Sequence, residues 1–433
     1  MLKKSKFNYV CENDGGDVLI YNAFVGAKSL CKLHREDQKE KFNNGEFDEN
    51  DPMCKELVKK GILVDEGVNE NLKLYTQITD ELAPSDLSLV ISITEKCNFL
   101  CKYCYESHNN MSITPEVKEK IIEFVRHNIH KYTALEATWF GGEPLLMLDD
   151  IKEMSHELMK ICAFNKRYYK SSITTNGYLL DADTFQELLK LRIRTFQITI
   201  DGIEPMHNMQ RPLAGGQPTF KRIYDNLMEI KKLKNRNFHV VVRSNLTEEI
   251  FDHMDEYVSM ISDICGNDNR FSVSICYASV WSDNIDPAFQ DTFIYNRDKI
   301  FPLYEKLLEC DKTINYSFLL DPSDGACEFG RRNCFFVRPN GELHKCSVRF
   351  EDPNNIVGKF EDNKIKLNEN YYVKNVCPST CKELENCFFA PVCKGDGCPS
   401  IRKEGTHSCP DNKGQMKYIL RLLDKGDQLE AIS

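Results

Sequence analysis

Three cysteines within one short loop are the residues of this sequence that point most directly to chemistry. Cys97, Cys101 and Cys104 have the spacing C-x3-C-x2-C and follow an apolar, strand-like run at residues 87–93. Three thiolates can bind three irons of a [4Fe–4S] cube and leave the fourth iron open to bind and reduce another molecule. The same triplet supplies three of the four ligands of a zinc site, so the spacing alone leaves both metals open.

A second field of cysteines lies nearer the other end of the sequence. It comprises Cys327, Cys334 and Cys346, followed by six cysteines within thirty-three residues: Cys377, Cys381, Cys387, Cys393, Cys398 and Cys409. Eight thiolates would fill two further four-iron clusters, whereas closely spaced cysteines beside His407 also suit tetrahedral zinc. The spacing of this second field therefore leaves iron–sulfur clusters and zinc open as well.

Polar motifs stand where four successive apolar strands are predicted to end. Adjacent glycines allow a close backbone approach, a glutamate accepts from an ammonium group, short polar side chains suit ribose hydroxyls, and arginine binds a carboxylate with two hydrogen bonds. Alone, Gly-Gly-Glu-Pro is equally typical of a plain turn, Asp-Gly is more typical of a turn than of a site, and the arginine is more typical of a surface ion pair. Together, the motifs describe a site for an amino-acid nucleoside. They are Gly141-Gly142-Glu143-Pro144, Thr174-Thr175-Asn176-Gly177, Asp201-Gly202 with Arg211 downstream, and Arg243-Ser244-Asn245.

The elements that position these motifs alternate between apolar strands and amphipathic helices over residues 86–310. Six such repeats predict an α/β fold with a parallel sheet and right-handed crossovers, curled as a partial (β/α)6 TIM-like barrel. Active sites on such folds lie at the carboxyl ends of the strands, where the motifs fall. The strands are predicted at residues 87–93, 137–140, 171–175, 195–200, 238–243 and 271–277, with helices at 116–130, 151–161 and 182–191 between them.

The flanking regions predict two further domains. Residues 1–85 contain a hairpin around Asp14-Gly15-Gly16, two short helices at 36–42 and 53–60, and a strand at 62–64, which is typical of a winged-helix-like module. Residues 311–433 lose the alternation, become rich in cysteine, glycine and proline, and close on one amphipathic helix at 415–423.

Length, charge and cysteine usage place these domains in a large cytoplasmic protein. The 433 residues carry a net charge of −10, which argues against a broad nucleic-acid or anionic-membrane surface. Nineteen cysteines in a long chain without a signal peptide or a bilayer-spanning run indicate metal ligands rather than disulfides. We therefore expect a protein of the reducing cytoplasm that binds neither nucleic acid nor membrane.

The triplet and the Gly-Gly-Glu-Pro motif together resemble the radical S-adenosylmethionine (SAM) superfamily, whose loop reads C-x3-C-x-aromatic-C. The resemblance implies that the triplet holds a [4Fe–4S] cluster whose open iron binds SAM. An electron then cleaves SAM to methionine and a 5′-deoxyadenosyl radical, which takes a hydrogen atom from the substrate. No residue is identified as a catalytic acid or base. The implied SAM contacts are Tyr103 in the aromatic position, Gly141, Gly142, Glu143, Pro144, Thr175, Asn176 and Arg211.

The second cysteine field resembles the SPASM extension of this superfamily, which carries C-x9–15-G-x4-C, a C-x2-C-x5-C-x3-C block and a last cysteine. Cys327, Gly341 and Cys346 fit the first half, and the five residues between Cys387 and Cys393 fit the block. The sequence departs from this pattern at two positions. Four residues rather than three separate Cys393 from Cys398, and Leu384 stands where the block has its first cysteine.

The SPASM resemblance implies two auxiliary [4Fe–4S] clusters. The ligands of the first would be Cys327, Cys334, Cys346 and Cys398, and those of the second Cys381, Cys387, Cys393 and Cys409, with Cys377 as the competitor of Cys381. If Cys334 is not a ligand, the first cluster keeps an open iron for a substrate thiolate. The other cysteines are expected to be buried apolar residues: Cys11, Cys31, Cys54, Cys162, Cys265, Cys276 and Cys310.

SPASM proteins mostly modify peptides, and many peptide maturases carry a winged-helix module that grips a leader peptide by strand addition. We therefore predict a maturase that forms a crosslink, a thioether from cysteine sulfur to carbon, in a ribosomally made precursor peptide. Its partners would be that peptide and a flavodoxin- or ferredoxin-like electron donor. One alternative is an anaerobic sulfatase-maturing, formylglycine-forming enzyme, although such enzymes usually begin close to the cysteine loop. The other is a zinc-stapled binding protein without radical chemistry.

Overall fold

The structure is a computed structural model, and it describes residues 1–266, 268–280, 285, 287–310, 320, 327–349, 351–374, 384–394 and 411–432. The chain divides into two compact units, each assembled from separate stretches of sequence. The first unit contains Met1–Ala83, Ile300–Arg331 and Asn375–Ser433, and the second contains Pro84–Lys299 and Arg332–Lys374.

Strands are numbered in chain order over the described residues. They are β1 (Leu2–Lys4), β2 (Asn8–Glu12), β3 (Val18–Asn22), β4 (Cys31–Leu33), β5 (Leu63–Asp65), β6 (Leu87–Thr94), β7 (Ala134–Gly141), β8 (Tyr168–Thr175), β9 (Ile193–Thr199), β10 (His239–Leu246), β11 (Phe271–Tyr277), β12 (Cys334–Val337), β13 (Glu342–His344), β14 (Ile356–Glu361), β15 (Lys364–Leu367) and β16 (Glu430–Ala431).

The α-helices of the described residues are numbered in the same way. They are α1 (Glu36–Asn44), α2 (Pro52–Lys59), α3 (Glu70–Leu82), α4 (Pro115–Asn128), α5 (Leu148–Phe164), α6 (Ala182–Lys190), α7 (Glu204–Gln210), α8 (Phe220–Lys231), α9 (Met254–Cys265), α10 (Pro287–Gln290), α11 (Phe301–Cys310), α12 (Glu369–Lys374), α13 (Ala390–Cys393) and α14 (Asp411–Lys425). No helix of these residues is long and apolar enough to cross a membrane.

The second unit is built on one mixed sheet with the strand order β11-β10-β9-β8-β7-β6-β12-β13-β14-β15. The strands from β6 to β11 pair in parallel and in chain order, which confirms the predicted parallel sheet. Every residue of β6 is buried, as expected for a strand that has a neighbour on each side. Polar segments that follow these strands consequently meet at one edge of the sheet.

Strands β12 to β15 extend this sheet beyond β6. β12 pairs in parallel with β6, with Cys334 opposite Ser88 and Val337 opposite Ile91. The remaining three strands then add as antiparallel neighbours. Residues from the cysteine-rich end of the sequence therefore complete the sheet that carries the cysteine loop.

The first unit contains a small sheet with the order β16-β4-β3-β2 and a separate pair, β1 with β5. The β2–β3 hairpin turns at Gly16, whose φ of +80° favours glycine, and this confirms the predicted hairpin. α1 and α2 lie where short helices were expected, whereas α3, whose N-cap is Asn69, was not predicted. α14 packs on β2 and β3, so the two ends of the sequence share one unit.

Candidate functional site

The cysteine loop begins directly after β6 and is held by backbone hydrogen bonds to the last residue of α7 and to the residues that follow it. Leu100 N donates to Pro212 O at 2.9 Å, Lys102 N donates to Gln210 O at 3.0 Å, and Ala214 N donates to Asn98 O at 2.8 Å. These three bonds fix the path of the loop between its first and last cysteine.

The three cysteines of this loop are half-buried free thiols. Burial raises the pKa of all three thiols, of Cys97 to about 12, and the negative charges of the neighbouring thiolates and of Glu106 add to the effect. Thiols that resist deprotonation in this way need a cation to become thiolates, and iron supplies it when it binds. Three cysteine sulfurs on one loop are the type of donor that iron–sulfur clusters use.

The glycine pair at the end of β7 brings that strand against the start of the cysteine loop. A Cβ on Gly141, whose φ is +133°, would lie 2.1 Å from Thr94 O, and a Cβ on Gly142 would lie 2.4 Å from Lys96 O. Gly142 N donates to Thr94 O, and Glu143 N donates to Lys96 O, both at 2.9 Å. The sequence predicted that these glycines let the backbone approach a ligand. In the structure they instead let the end of β7 approach the backbone of the residues just before Cys97.

Glu143 is fully buried and joins the ends of β7 and β8. Its Oε1 accepts from Leu145 N at 2.9 Å and from Thr175 Oγ1 at 2.7 Å, and its Oε2 accepts from Asn176 N at 2.7 Å. Burial raises the pKa of this carboxyl, and these hydrogen bonds oppose the rise. A carboxylate has about four acceptor positions, so one position on Oε2 stays available to a further donor such as an ammonium group. Pro144 opens the short turn of helix that follows.

A second buried network links the cysteine loop to the ends of β9 and β10. Tyr103 donates its hydroxyl to Asp201, and Arg211 Nη1 lies 2.5 Å from the same hydroxyl and 3.5 Å from Asp201 Oδ2. Asn245 N donates to Asp201 Oδ1 at 2.6 Å, and Asn245 Nδ2 donates to the Tyr103 oxygen at 3.2 Å. Burial raises the pKa of Asp201, and the Arg211 charge opposes the rise.

Asp201 and Asn245 are the residues of this network to which the sequence assigned no role. An Asp-Gly pair after a strand is typical of a turn, and only the fold shows that Asp201 meets the aromatic residue of the cysteine loop. Arg211 keeps a buried Nε with no hydrogen-bond partner among the described residues. Its guanidinium therefore has donor capacity left for a ligand.

An ion pair that the sequence did not reveal holds the other side of the loop. Arg338 donates from Nε and Nη2 to Glu95 Oε1 at 2.9 and 2.6 Å, and Asn109 Nδ2 donates to Glu95 Oε2 at 3.0 Å. Both charged residues are buried. Since 243 positions separate Glu95 from Arg338, no local pattern could have indicated their pairing.

The second cysteine field is described in part. β12 pairs Phe336 with His344 of β13, so Cys334 lies two residues before this pair and Cys346 two residues after it. Cys327 belongs to the first unit, as do Cys387, which precedes α13, and Cys393, which is the last residue of α13. The other proposed ligands lie outside the described residues: Cys377, Cys381, Cys398 and Cys409.

The remaining cysteines follow the expectation of burial only in part. Cys31, Cys54, Cys162 and Cys265 are buried. Cys11 and Cys276 are half-buried and Cys310 is exposed at the end of α11, so the expectation was wrong for Cys310. Within the described ranges, no three His, Cys, Asp or Glu side chains converge on a single metal ion.

Comparison with known proteins connects this geometry to a family. Residues 91–259, which contain the cysteine loop and the ends of β7 to β10, match the model of the radical SAM superfamily. The radical SAM cyclopropyl synthase TigE of Paramaledivibacter caminithermalis is 23% identical over 320 residues, which are 68% of this chain and 62% of TigE. The serine-type anaerobic sulfatase-maturating enzyme of Bacteroides thetaiotaomicron is 29% identical over 143 residues, which are 31% of this chain and 34% of that enzyme.

A solved structure shows the same fold. The structure of anSMEcpe with bound AdoMet and the Kp18Cys peptide aligns over 79% of this chain and 100% of that one, with a TM-score of 0.57 and 20% identity. Residues 91–259, which match the family model, include the cysteine loop, Glu143 with its donors, and the network around Asp201. Residues 91–259 are therefore a radical SAM domain.

Proposed function

We propose that this enzyme is a maturase that forms a thioether crosslink, from a cysteine sulfur to a carbon, in a ribosomally made precursor peptide. The observation that carries the proposal is the composition of the first unit. It joins a small β-sheet, three of whose four strands come from residues 1–83, with the segment that contains Cys387 and Cys393 in one compact body. A sheet edge receives extended peptides, and the distal cysteines are the proposed ligands of an electron acceptor.

The domain assignment is part of this proposal. Residues 86–310 would form the partial (β/α)6 barrel, residues 1–85 the winged-helix-like module for a leader peptide, and residues 311–433 the SPASM region with two auxiliary [4Fe–4S] clusters. The proposed compartment is the cytoplasm, where a flavodoxin- or ferredoxin-like protein supplies electrons. Thiolate ligands and oxygen-sensitive clusters both favour a reducing environment.

Different residues of the radical SAM domain would bind the cluster and SAM, which together generate the radical. Cys97, Cys101 and Cys104 would hold the cluster, which with SAM supplies the radical that removes a hydrogen atom from the substrate. Glu143, fixed by its donors on β8, offers one remaining acceptor position to the SAM ammonium group. Arg211, fixed by Asp201, offers its unpartnered N–H to a carboxylate or a ribose oxygen.

Thioether formation also sets a redox requirement. The peptide loses one C–H hydrogen as an atom and one S–H hydrogen as a proton, so closure of the S–C bond releases one electron. The SPASM cysteines are the proposed ligands of the group that accepts this electron. Formylglycine formation likewise removes electrons from the substrate. The serine-type sulfatase-maturating relative therefore makes that activity the second candidate.

Product analysis separates the two candidates. We expect anaerobically reconstituted protein with SAM and reductant to convert a cysteine-containing precursor peptide to a product that lacks two hydrogens and does not react with hydrazide probes. A sulfatase peptide treated in parallel should stay unchanged. An aldehyde formed on the sulfatase peptide alone would overturn the thioether proposal. The same preparation should contain about twelve irons per chain, and zinc with little iron would contradict the proposed clusters.

The segment that carries Cys387 and Cys393 is held in place by contacts with residues 1–83. Lys394 is 5% exposed and forms an ion pair with Glu81 at the end of α3. Tyr75 donates its hydroxyl to Glu385 Oε1 at 2.7 Å, and α13 packs on α3. Phe389, Ala390 and Val392, between the two cysteines, are buried within the same unit. The cysteine segment thus depends on the N-terminal residues for its order.

We therefore expect Lys394→Met to loosen this segment. The change leaves the Glu81 carboxylate without its cation, and hydrogen bonds to charged groups are worth roughly 1.5–3 kcal/mol. In metal-free protein, Cys387 and Cys393 should react about tenfold faster with iodoacetamide, measured by mass spectrometry of the alkylated peptides. The matched control is Lys221→Met, which breaks an exposed i,i+4 pair with Asp225 and should leave both rates unchanged. Equal rates in both variants would mean that the ion pair does not order the segment.

A further inference from the structure

The β4 edge of the small sheet is occupied by a strand from the other end of the sequence. β16 pairs in parallel with β4, with Glu430 opposite Cys31 and Ala431 opposite Lys32. Ile432 N continues the ladder by donating to Lys32 O at 3.0 Å. A peptide that joins this sheet by strand addition at β4 must take the place of β16.

The occupying residues are anchored by their side chains as well as by their backbone. Ile432 is 4% exposed and belongs to the apolar cluster that includes Leu33 and Phe42. Gln38 Nε2, on α1, donates to Ile432 O at 3.2 Å. Lys60 Nζ lies 2.5 Å from Glu430 Oε2. The β4 edge, together with Lys60, Gln38 and this apolar cluster, therefore forms a seat for a strand. The seat recognises an acidic residue and, two positions later, an aliphatic residue.

Two features indicate that the seat accepts other strands. β16 is only two residues long and both of its residues are exposed, so little besides Ile432, the preceding Leu429 and the Lys60 contact keeps it in place. Gln38 is 3% exposed, yet its Oε1 has no hydrogen-bond partner within the described residues. The present occupant thus leaves a buried acceptor unsatisfied, which costs free energy that a better-fitting strand would recover.

The opposite edge of the sheet, β2, is less accessible. Tyr9 packs on Phe388 with ring centroids 5.0 Å apart. Arg421 donates from Nε and Nη2 to Glu12 O at 3.0 and 2.8 Å. Part of the β2 edge therefore makes contacts within the first unit. At the β4 edge, by contrast, a peptide needs to displace only the short strand β16.

We propose that residues 429–432 are an internal stand-in that occupies the β4 edge, where the proposed function places the leader peptide, until an incoming peptide displaces them. The ligand is an extended segment, parallel to β4, with the pattern aliphatic, acidic, small, aliphatic that residues 429–432 display. Its acidic side chain pairs with Lys60. This inference rests on the proposed function and deepens it, because it names the chemistry of the leader segment that the maturase binds.

A truncation and a peptide probe test this proposal. The chain that ends at Gly426 keeps α14 but lacks the stand-in, and the probe is a fluorescein-labelled peptide of residues 427–433, Asp-Gln-Leu-Glu-Ala-Ile-Ser. Fluorescence anisotropy should show the probe binding the truncated chain at least tenfold more tightly than the full chain. Lys60→Met in the truncated chain, which keeps the aliphatic stem, and a probe with Ile432→Asp should each reduce binding.

A measurement on the full chain guards against loss of folding in the truncated one. Ile432→Asp in the full chain should speed hydrogen exchange of the amides of β4, and the unaltered probe should restore their protection. Equal probe binding by the full and truncated chains, or a folded truncated chain that does not bind, would overturn the proposal. Probe binding without SAM-dependent peptide modification would instead contradict the maturase function alone. Modification of a precursor that does not compete with the probe would contradict this inference alone.

Discussion

Protein that carries Gly142→Ala, reconstituted anaerobically, should contain about four fewer irons per chain and cleave SAM roughly a hundredfold more slowly than the unaltered protein. An added Cβ would lie 2.4 Å from Lys96 O, 2.7 Å from Lys96 C and 2.8 Å from Glu95 O. All three are backbone atoms, so no side-chain rotation relieves the contact. The segment before Cys97 must then move, and with it the first of the three thiolates.

The effect of Gly142→Ala is one of space rather than backbone conformation, because its φ lies outside the positive region where Gly141 is found. Gly414→Ala is the matched control, since nothing lies within 4 Å of an added Cβ at that position of α14. Iron content, measured by a colorimetric assay, and 5′-deoxyadenosine, measured by chromatography, should be unchanged in this control. Normal values of both in Gly142→Ala would show that the cysteine loop does not depend on its contact with the end of β7.

The sequence allowed the central elements of the site to be predicted, because each depends on local pattern. The strands β6 to β11 are apolar runs between amphipathic helices, and their parallel pairing follows from that alternation. The cysteine loop and the Gly-Gly-Glu-Pro motif follow two of these strands, so their meeting at one edge of the sheet was foreseeable. The roles of the two glycines were not foreseeable, since the close contact involves backbone atoms of a distant segment.

Features that depend on distant pairing could not be predicted. β12 is a run of four residues that reads equally as the core of a separate domain, yet it pairs with β6 across more than two hundred residues. β16 has two residues and no strand pattern, and its position is fixed by Ile432 and by the Lys60 contact. The buried pair Glu95–Arg338 and the contact of Tyr103 with Asp201 likewise join residues whose spacing carries no signal.

The network around Asp201 should affect both the stability of the fold and the proposed SAM site. Asp201 is 1% exposed and Arg211 is 7% exposed, so the ion pair between them is shielded from water. Removal of one partner from a buried pair leaves an uncompensated charge and costs about 3–5 kcal/mol. The same carboxylate accepts a hydrogen bond from Tyr103, which lies between Cys101 and Cys104 in the cysteine loop. Loss of Asp201 should therefore act on the fold and on the cysteine loop together.

We expect Asp201→Ala to lower the melting temperature of the protein by on the order of 10 °C and to weaken SAM binding by at least about tenfold. Asp201→Asn should do less, because the amide keeps an acceptor for Asn245 N, which donates to Oδ1 at 2.6 Å in the native protein. Differential scanning calorimetry measures the first effect. The SAM-dependent change in the electron paramagnetic resonance spectrum of the reduced cluster, titrated with SAM, measures the second.

The matched control is Asp225→Asn, which removes one carboxylate from the exposed pair with Lys221 on α8 and should change neither quantity. Tyr103→Phe separates the two effects, because it keeps the aromatic ring and removes only the hydroxyl that Asp201 and Arg211 contact. If Asp201 positions the loop through Tyr103, the double variant Tyr103→Phe/Asp201→Asn binds SAM no more weakly than the weaker of the two single variants. Additive losses of SAM affinity would show that Asp201 acts on SAM through Arg211 rather than through the cysteine loop.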